Sequence, residues 1–285
     1  MNMRNKVWSL LLTGALCVGT LTACGSSTSN STGNDAATGT GDSTQQSTAA
    51  GDGAVSTIED GKLIMSTNAS FPPYEMVTDD GGFEGIDVEI ATKIAEKLGL
   101  ELVIDDMDFT AAVNAPAQGK SDICMAGLTV SEERQKNLDF TTSYATGVQV
   151  VIVPEDSDIT TIDDLEGKLI GTQEGTTGYL YCSASTEDGG YGEENVIAYT
   201  NGATAVQALL SGQVDCVVID SAPAQEYVAA NPGLKILDTE FVTEDYAIAV
   251  KKGNTELLDA INGALEELIS DGTVQSIVES YIKAD

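Results

Sequence analysis

Histidine is absent from the 285 residues, and basic side chains are scarce: 13 Lys and Arg stand against 45 Asp and Glu. Without histidine there is no Ser-His-Asp or Cys-His catalysis, no HExxH zinc site and no imidazole metal ligand. The net charge of −32 argues against a nucleic-acid partner, because phosphate binding needs clustered Lys and Arg. The composition therefore favours binding over catalysis, and it indicates no catalytic residue, no metal and no cofactor.

The first 23 residues are typical of an export signal. A short basic segment with Arg4 and Lys6 precedes a mostly apolar run that ends at Leu21 and is too short to span a membrane comfortably. The stretch LTAC, residues 21–24, resembles the bacterial lipobox, which implies cleavage before Cys24 and lipidation of its thiol. An ordinary secretory signal followed by a chance cysteine is the alternative.

A low-complexity tract follows the signal. Residues 25–53 contain no Leu, Ile, Val, Met, aromatic residue, Lys or Arg. Such a composition cannot bury apolar surface, so the tract is predicted to be disordered, with its ends about 30 Å apart. We expect residues 24–57 to act as a tether that holds a folded head close to the membrane.

Three cysteines remain in the folded part of the chain: Cys124, Cys182 and Cys216. An odd number in an exported protein leaves at least one free thiol or an intermolecular bridge. Their spacing fits neither a metal site nor a redox CxxC pair. Cys124 and Cys216 lie in apolar runs, which predicts buried and unreactive thiols.

Strand and helix patterns alternate from about residue 58 onward. Ile86, Ile90, Ile94 and Leu98 recur every four residues, which predicts a helix with Asp87 as N-cap and Gly99 as its end. Further helices are predicted at 109–118, near 177, and at 203–210, 256–269 and 274–282, with strands at 62–67, 100–104, 123–126, 148–153, 168–172, 196–199, 214–219 and 246–250. This alternation indicates α/β lobes with mainly parallel sheets, whose ligands lie at the carboxyl ends of the strands.

Arg134 is the only arginine once the signal is removed. Its planar guanidinium binds a carboxylate with two parallel hydrogen bonds, which a lysine cannot match. A surface arginine paired with Glu132 or Glu133 is the alternative at this stage.

Two further segments are typical of ligand-binding sites, and each also has an ordinary structural explanation. The turn at residues 175–178 (GTTG) joins a strand to a helix and favours an anion, although an ordinary helix cap explains it as well. Asp220 ends an apolar strand, where its carboxylate either holds a ligand ammonium or caps the next helix. Phe71 and Phe109 are candidate ligand walls, and each alone is equally consistent with a core position.

The order of these segments resembles the polar amino-acid-binding proteins of ABC importers, solute-binding family 3. The matching segments are FPPYEM, GFEGIDVEIATKIAEKLGL, GKSDICMAGLTVSEERQKNLDFTTSY, LEGKLIGTQEGTTG, LLSGQVDCVVIDSAPA and the DYAIAVKKGN to DGTV ending. The resemblance implies the type II periplasmic-binding-protein fold, with two mixed sheets flanked by helices and joined by a two-strand hinge. Lobe 1 is then residues 58–146 plus 246–285, and lobe 2 is residues 147–245.

The resemblance also implies a role for each site residue. Arg134 and the backbone N–H groups of Thr129 and Thr177 are expected to hold the ligand carboxylate. Asp220 and the Gly127 carbonyl are expected to hold the ammonium. Phe71 and Phe109 are expected to sandwich the aliphatic part of the ligand, and Asn68, Glu75 and Gln173 to line the side-chain pocket.

Two departures from the family pattern limit what the resemblance implies about the ligand. Asn68 stands where many members carry an acid, and Gln173 stands where some glutamine-binding members carry a lysine. Both weaken an inference of a strongly charged ligand side chain. Three questions stay open: the identity of the bound amino acid, its affinity and the permease that receives it.

The resemblance implies a monomeric, extracytoplasmic lipoprotein that delivers a free amino acid to an ABC permease and its ATPase. Its only membrane contact would be the lipid anchor. A cyclohexadienyl-dehydratase-like enzyme on the same fold is the first alternative, although no histidine is available to it. A sensory ligand-binding protein is the second, although no transmembrane or kinase segment follows Asp285 in the sequence.

Overall fold

The structure is a computed structural model, and it describes residues 55–238 and 241–282. The predicted signal peptide, the lipidation site Cys24 and the tether up to residue 54 lie outside the described residues. The strands are β1 Lys62–Thr67, β2 Ser70–Phe71, β3 Glu75–Val77, β4 Phe83–Glu84, β5 Glu101–Asp106, β6 Ile123–Cys124, β7 Leu138–Pro154, β8 Ile170–Gln173, β9 Val196–Tyr199, β10 Cys216–Asp220, β11 Leu234–Ile236 and β12 Val242–Lys251. The helices are α1 Ile86–Leu98, α2 Phe109–Asn114, α3 Thr177–Ser183, α4 Gly202–Leu210, α5 Ser221–Ala230, α6 Thr255–Ser270 and α7 Thr273–Tyr281.

Nine strands form one mixed sheet in the order β5-β1-β6-β12-β7-β10-β8-β9, with β11 paired to β7. The sequence predicts two sheets, but hydrogen bonds join them into one. The reason is the length of β7 and β12, which have 17 and 10 residues and pair with each other antiparallel across both halves of the sheet. Strands β2, β3 and β4 form a separate small sheet.

Helices cover both faces of the large sheet in each half. Near β1, β6 and β12, helices α1, α6 and α7 share one apolar core, and α2 contributes to a second core on the other side. Near β7, β8 and β10, helices α4 and α5 share a third core, and α3 lies in a fourth. Each half of the sheet is therefore enclosed between helical layers, which is the arrangement expected for an α/β protein.

Helix α1 shows how the sequence pattern produces this packing. Ile86, Ile90 and Ile94 are fully buried, and burial of each such side chain stabilises the fold by roughly 1.5–3 kcal/mol. Gly99 ends the helix as predicted, because its left-handed backbone (φ 69°) lets its N–H reach the last carbonyls. The prediction of Asp87 as N-cap is wrong. Gly85 takes that position, and Asp87 lies buried in the first turn.

Of the other predicted elements, the strands at 62–67 and 196–199 have the predicted ends, and the rest are present with shifted ends. The helix predicted at 109–118 ends at Asn114 and continues as turns around Pro116, which has no backbone N–H to donate. The strand predicted at 148–153 is the second half of β7. Over residues 55–238 and 241–282, no helix combines the length and the apolar character that a membrane crossing requires.

The thiols of Cys124, Cys182 and Cys216 are free and buried, as predicted for the first and the last. Burial raises the pKa of Cys124 and of Cys182 to about 12, and it raises the pKa of Cys216 as well. All three thiols therefore stay protonated at physiological pH.

Candidate functional site

One cavity brings together all ten residues that the sequence predicts for ligand binding. Its lining consists of Asn68, Phe71, Glu75, Phe109, Gly127, Thr129, Arg134, Gln173, Thr177 and Asp220, together with Ala126 and Thr176, which the sequence did not indicate.

The topology places these residues at strand ends. Asn68 follows β1, Gln173 ends β8 and Asp220 ends β10. Strand β1 runs parallel to β6, and β8 runs parallel to β10, so within each pair the carboxyl ends lie at the same edge. The cavity therefore lies where ligands of open α/β sheets are expected.

Arg134 is partly buried and is held by backbone carbonyls. Its Nη1 donates to the carbonyl of Thr129 at 2.6 Å, and its Nη2 donates to that of Gly175 at 3.3 Å. The guanidinium carbon lies 5.5 Å from the ring centre of Phe109, within the range of a cation–π contact. Of the two alternative partners, Glu132 and Glu133, the second pairs with Lys136 instead. The side chain of Arg134 lines the cavity, and no carboxylate of residues 55–238 and 241–282 forms a salt bridge with it.

Asp220 occupies the N-cap position of α5, but its side chain makes no capping hydrogen bond. Its Oδ2 accepts a 2.7 Å hydrogen bond from Gln149, and its Oδ1 accepts one from the hydroxyl of Tyr246. Burial raises the pKa of Asp220 to about 7. A Cβ on Gly147 would lie 2.5 Å from Oδ1 of Asp220, so this position on β7 has no room for a side chain.

Glu244 is a buried carboxylate next to the cavity that the sequence reasoning missed. Its Oε2 accepts hydrogen bonds from Thr129 (3.1 Å), Gln149 (3.1 Å) and Thr177 (2.9 Å). It therefore connects Thr129 with Thr177 at the start of α3. A signal was available, since Glu244, Tyr246 and Ile248 alternate along β12 and share its buried face.

Phe71 and Phe109 both line the cavity. Phe109 lies beneath Arg134, whereas Phe71 stacks on Tyr74 with ring centres 5.8 Å apart. A Cβ on Gly127, whose φ is 52°, would lie only 2.6 Å from the Phe71 ring. Only glycine therefore suits position 127, both for its backbone and for the approach of the ring.

A hydrogen bond between two amides crosses the cavity. Nε2 of Gln173 donates to Oδ1 of Asn68 at 3.0 Å, and Nδ2 of Asn68 donates to the carbonyl of Met107 at 2.9 Å. In the 175–178 turn, the Thr176 hydroxyl caps α3, which agrees with the alternative of an ordinary helix cap. Thr177 lines the cavity, and its hydroxyl donates a hydrogen bond to Glu244.

The profile of the bacterial extracellular solute-binding proteins, family 3, matches residues 63–284. The chain belongs to this family.

Relatives and solved structures agree with this assignment. The L-cystine-binding protein TcyJ of Escherichia coli (strain K12) is 30% identical over 230 residues, which are 80% of this chain and 85% of TcyJ. The arginine-binding extracellular protein ArtP of Bacillus subtilis (strain 168) is 30% identical over 285 residues, 98% of this chain and 99% of ArtP. A crystal structure of a mutant of ArgBP from T. maritima is 38% identical, with a TM-score of 0.71, and covers 78% of this chain and 95% of that one. The predicted family and its type II periplasmic-binding-protein fold are confirmed.

Proposed function

We propose that this family 3 protein captures a free, polar amino acid outside the cytoplasm and delivers it to the permease and ATPase of an ABC importer. One observation carries the proposal: Arg134 and Asp220, a base and an acid, line the same small cavity. An α-amino acid presents the complementary pair, a carboxylate and an ammonium. The names of relatives support this choice, since TcyJ is named for cystine and ArtP for arginine.

The carboxylate site comprises Arg134 with the backbone N–H groups of Thr129 and Thr177. The guanidinium supplies two parallel donors, and one of its nitrogens already donates to the Thr129 carbonyl. Glu244 acts as a positioning residue, because its carboxylate bonds the hydroxyls of Thr129 and Thr177 at once.

The ammonium site comprises Asp220 with the Gly127 carbonyl. The remaining lining residues take the ligand side chain: Phe71 and Phe109 sandwich its aliphatic part, while Asn68, Glu75 and Gln173 form the end of the pocket. Binding without catalysis is the activity that this arrangement supports, because a zwitterion satisfies both charged residues and leaves neither free for proton transfer.

Two lobes close on the ligand in this proposal. Lobe 1 is residues 58–146 plus 246–285, and lobe 2 is residues 147–245, with β7 and β12 as the hinge strands. Hydrogen bonds join residues of the two lobes, among them those from Gln173 to Asn68, from Arg134 to Gly175 and from Tyr227 to Ser70. A ligand held from both sides favours the closed state, since its full set of contacts exists only there.

The same proposal covers location and assembly. Export by the 1–23 signal, lipidation of Cys24 and the 24–57 tether would keep a monomeric binding protein at the outer face of the cell membrane. A permease then receives the closed, loaded form.

Thermal-shift screening of the purified protein against the twenty amino acids tests the proposal. A ligand at a hundred times its Kd stabilises the folded state by roughly 2.7 kcal/mol, which gives a clearly visible shift in Tm. The Arg134→Ala variant serves as a control that should lose the shift. If no amino acid raises the Tm of the wild-type protein, the proposed function is wrong.

A further inference from the structure

Asp87, in the first turn of α1, is a fully buried acid that bonds a residue of the cavity lining but lies outside the lining itself. Its Oδ2 accepts a 2.9 Å hydrogen bond from the backbone N–H of Gly127, which does line the cavity. A hydrogen bond to an ionised carboxylate is stronger than one between neutral groups. Asp87 can therefore fix the backbone of the site without touching a ligand.

The hydrogen bond to Asp87 orients the peptide between Ala126 and Gly127. The N–H of Gly127 and the carbonyl of Ala126 belong to one planar peptide and point in opposite directions, so this carbonyl points away from Asp87. Both residues are buried and line the cavity, and among the residues that the structure describes none donates a hydrogen bond to either of their carbonyls. Buried carbonyls are nearly always paired, so these two are acceptors for a ligand.

Gly127 does not fix the orientation of this peptide by itself. Its φ of 52° lies in the left-handed region, and glycine adopts positive and negative φ about equally well. A side chain cannot replace it, because a Cβ would lie only 2.6 Å from the Phe71 ring. If the peptide rotated, the N–H of Gly127 would turn from Asp87 towards the cavity, where it would oppose the N–H donors of a ligand ammonium. The position therefore needs a partner that selects one orientation, and Asp87 is that partner.

Two further contacts keep Asp87 available as an acceptor. Glu75 and Tyr144 share side-chain hydrogen bonds with it. Burial raises the pKa of Asp87 to about 6, and burial together with the charge of Asp87 raises the pKa of Glu75 well above its usual value. At pH 8, Asp87 is therefore ionised, and Glu75 keeps the proton that it donates. The first turn of a helix also favours a negative charge.

We propose that Asp87 is a positioning residue of the ammonium site, which holds the N–H of Gly127 away from the cavity and so leaves the carbonyls of residues 126 and 127 to the ligand ammonium. The inference rests on the proposed function and adds to it a residue that does not line the cavity. Asp220 needs such help, because its two oxygens already accept hydrogen bonds from Gln149 and Tyr246. An ammonium has three N–H groups, and the backbone carbonyls can accept those that Asp220 does not.

Calorimetric titration at pH 8 with two matched pairs of compounds tests the inference. The pairs are L-arginine with 5-guanidinopentanoate and L-glutamine with glutaramate, and in each pair the second compound lacks only the α-ammonium. In Asp87→Ala, which has no acceptor for Gly127, the preference for the amino acid over its partner should fall at least about tenfold. The affinity for the compound without the ammonium should change less than about threefold, because that compound does not use the 126 and 127 carbonyls.

Two further variants separate positioning from charge. Asp87→Asn keeps an oxygen that can accept from Gly127, so it should retain the wild-type preference within about threefold. Glu89→Ala removes an exposed acid from the same turn of α1 and should leave the preference unchanged. An equal loss of affinity for both members of a pair in Asp87→Ala, or an unchanged preference, would overturn the inference. A loss in Asp87→Asn as large as that in Asp87→Ala would also overturn it, since the charge would then be the cause.

Nuclear magnetic resonance of the ¹⁵N-labelled protein without ligand provides a second measurement. The amide proton of Gly127 should move upfield and exchange faster with solvent in Asp87→Ala than in the wild-type protein and in Asp87→Asn. The same resonance and exchange rate in all three proteins would overturn the inference, whichever amino acid binds. Binding of none of the twenty amino acids by the wild-type protein would instead refute the proposed function, and the ammonium role of Asp87 with it.

Discussion

Nε2 of Gln149 donates a 2.7 Å hydrogen bond to Oδ2 of Asp220. The sheet register imposes this contact, because Asp220 on β10 pairs directly with Gln149 on β7. The same nitrogen lies 3.1 Å from Oε2 of Glu244, so one neutral amide serves two buried acids. A neutral donor does not balance their charge. The negative charge of these two acids is therefore not balanced by Gln149, and a ligand ammonium would balance part of it.

Amino-acid binding should weaken as the pH falls below about 7. Burial raises the pKa of Asp220 to about 7, so the carboxylate is increasingly protonated below that value, and only its ionised form pairs with an ammonium. The affinity should rise with pH up to about 7 and then level off, by at most about tenfold per pH unit for this group. Calorimetry between pH 5 and 9 with a neutral amino acid measures it. A flat profile would contradict the role of Asp220.

The variant Asp220→Asn should stabilise the empty protein while it abolishes tight binding. The folded-state pKa of Asp220 lies above the value of an unfolded aspartate, about 3.9, so stability is lost as the pH rises from about 4 to 7. Asparagine carries no such penalty, and at pH 8 we expect a gain of roughly 1–3 kcal/mol in the free energy of unfolding. Urea denaturation of the empty proteins at pH 4 and pH 8 measures this, and an equal difference at both values would refute it.

Arg134→Ala should reduce affinity by about 2–5 kcal/mol, or roughly thirty- to several-thousand-fold in Kd, if the guanidinium binds the ligand carboxylate. Arg134→Lys should recover only part of this loss, because lysine keeps the charge but not the two parallel donors. Calorimetric titration of the two folded variants with the best ligand measures both losses of affinity.

Lys136→Ala is the matched control, since Lys136 belongs to the same short 3-10 helix, Arg134–Lys136, and pairs with Glu133 at the surface. Its loss should change affinity by less than about 1 kcal/mol. Near-wild-type binding by Arg134→Ala would remove the central residue of the proposed site.

Most of the fold could be predicted from local patterns, whereas Asn68, Glu75, Gly127, Thr129 and Gln173 entered the predicted lining only through the family resemblance. The four-residue repeat from Ile86 to Ile94 defines α1, and Asp220 is recognisable at the end of an apolar strand. Such signals lie within a few residues of one another along the chain. The family resemblance added the roles of the residues, which composition and spacing alone left open.

The missed features depend on contacts between distant segments. Gln149 and Glu244 join the site only through the pairing of β7, β10 and β12. Gln149 bonds Asp220, 71 residues further along the chain, and Glu244, 95 residues further along. The wrong N-cap has the same origin, since Asp87 bonds Gly127, 40 residues further along. Likewise, the joining of two predicted sheets into one follows from the length of β7, whose central residues Thr142 to Gly147 are not uniformly apolar.

Cys24→Ala should release the protein from the membrane or leave an unprocessed precursor, because the thiol is the proposed attachment point of the lipid. Membrane fractionation and metabolic labelling with a radioactive fatty acid measure the two effects. A cysteine of the folded part, Cys182→Ala, is the control and should retain both label and membrane association, provided that it folds. Unchanged membrane retention of Cys24→Ala would refute the lipoprotein proposal.

Tyr227→Phe tests lobe closure without a change in the ligand cavity. The hydroxyl of Tyr227, on the proposed lobe 2, donates a 3.0 Å hydrogen bond to the carbonyl of Ser70 on the proposed lobe 1. If the lobes separate in the empty protein, this bond exists only in the closed state. Its loss should then weaken ligand binding by about two- to tenfold, the equivalent of one partly exposed hydrogen bond.

The control for this variant is Tyr281→Phe, whose hydroxyl donates to Oε1 of Glu89 at 2.7 Å within the proposed lobe 1. Because that bond does not depend on closure, its loss should leave the affinity unchanged. Small-angle X-ray scattering supplies the independent readout: ligand should reduce the radius of gyration of the wild-type protein, and Tyr227→Phe should reach the same compact state at higher ligand concentration. Tryptophan fluorescence does not serve here, since the only tryptophan, Trp8, lies in the predicted signal. An unchanged radius of gyration at saturating ligand would contradict the hinge. It would mean that the ligand binds the open and the closed state equally well and therefore shifts no equilibrium between them.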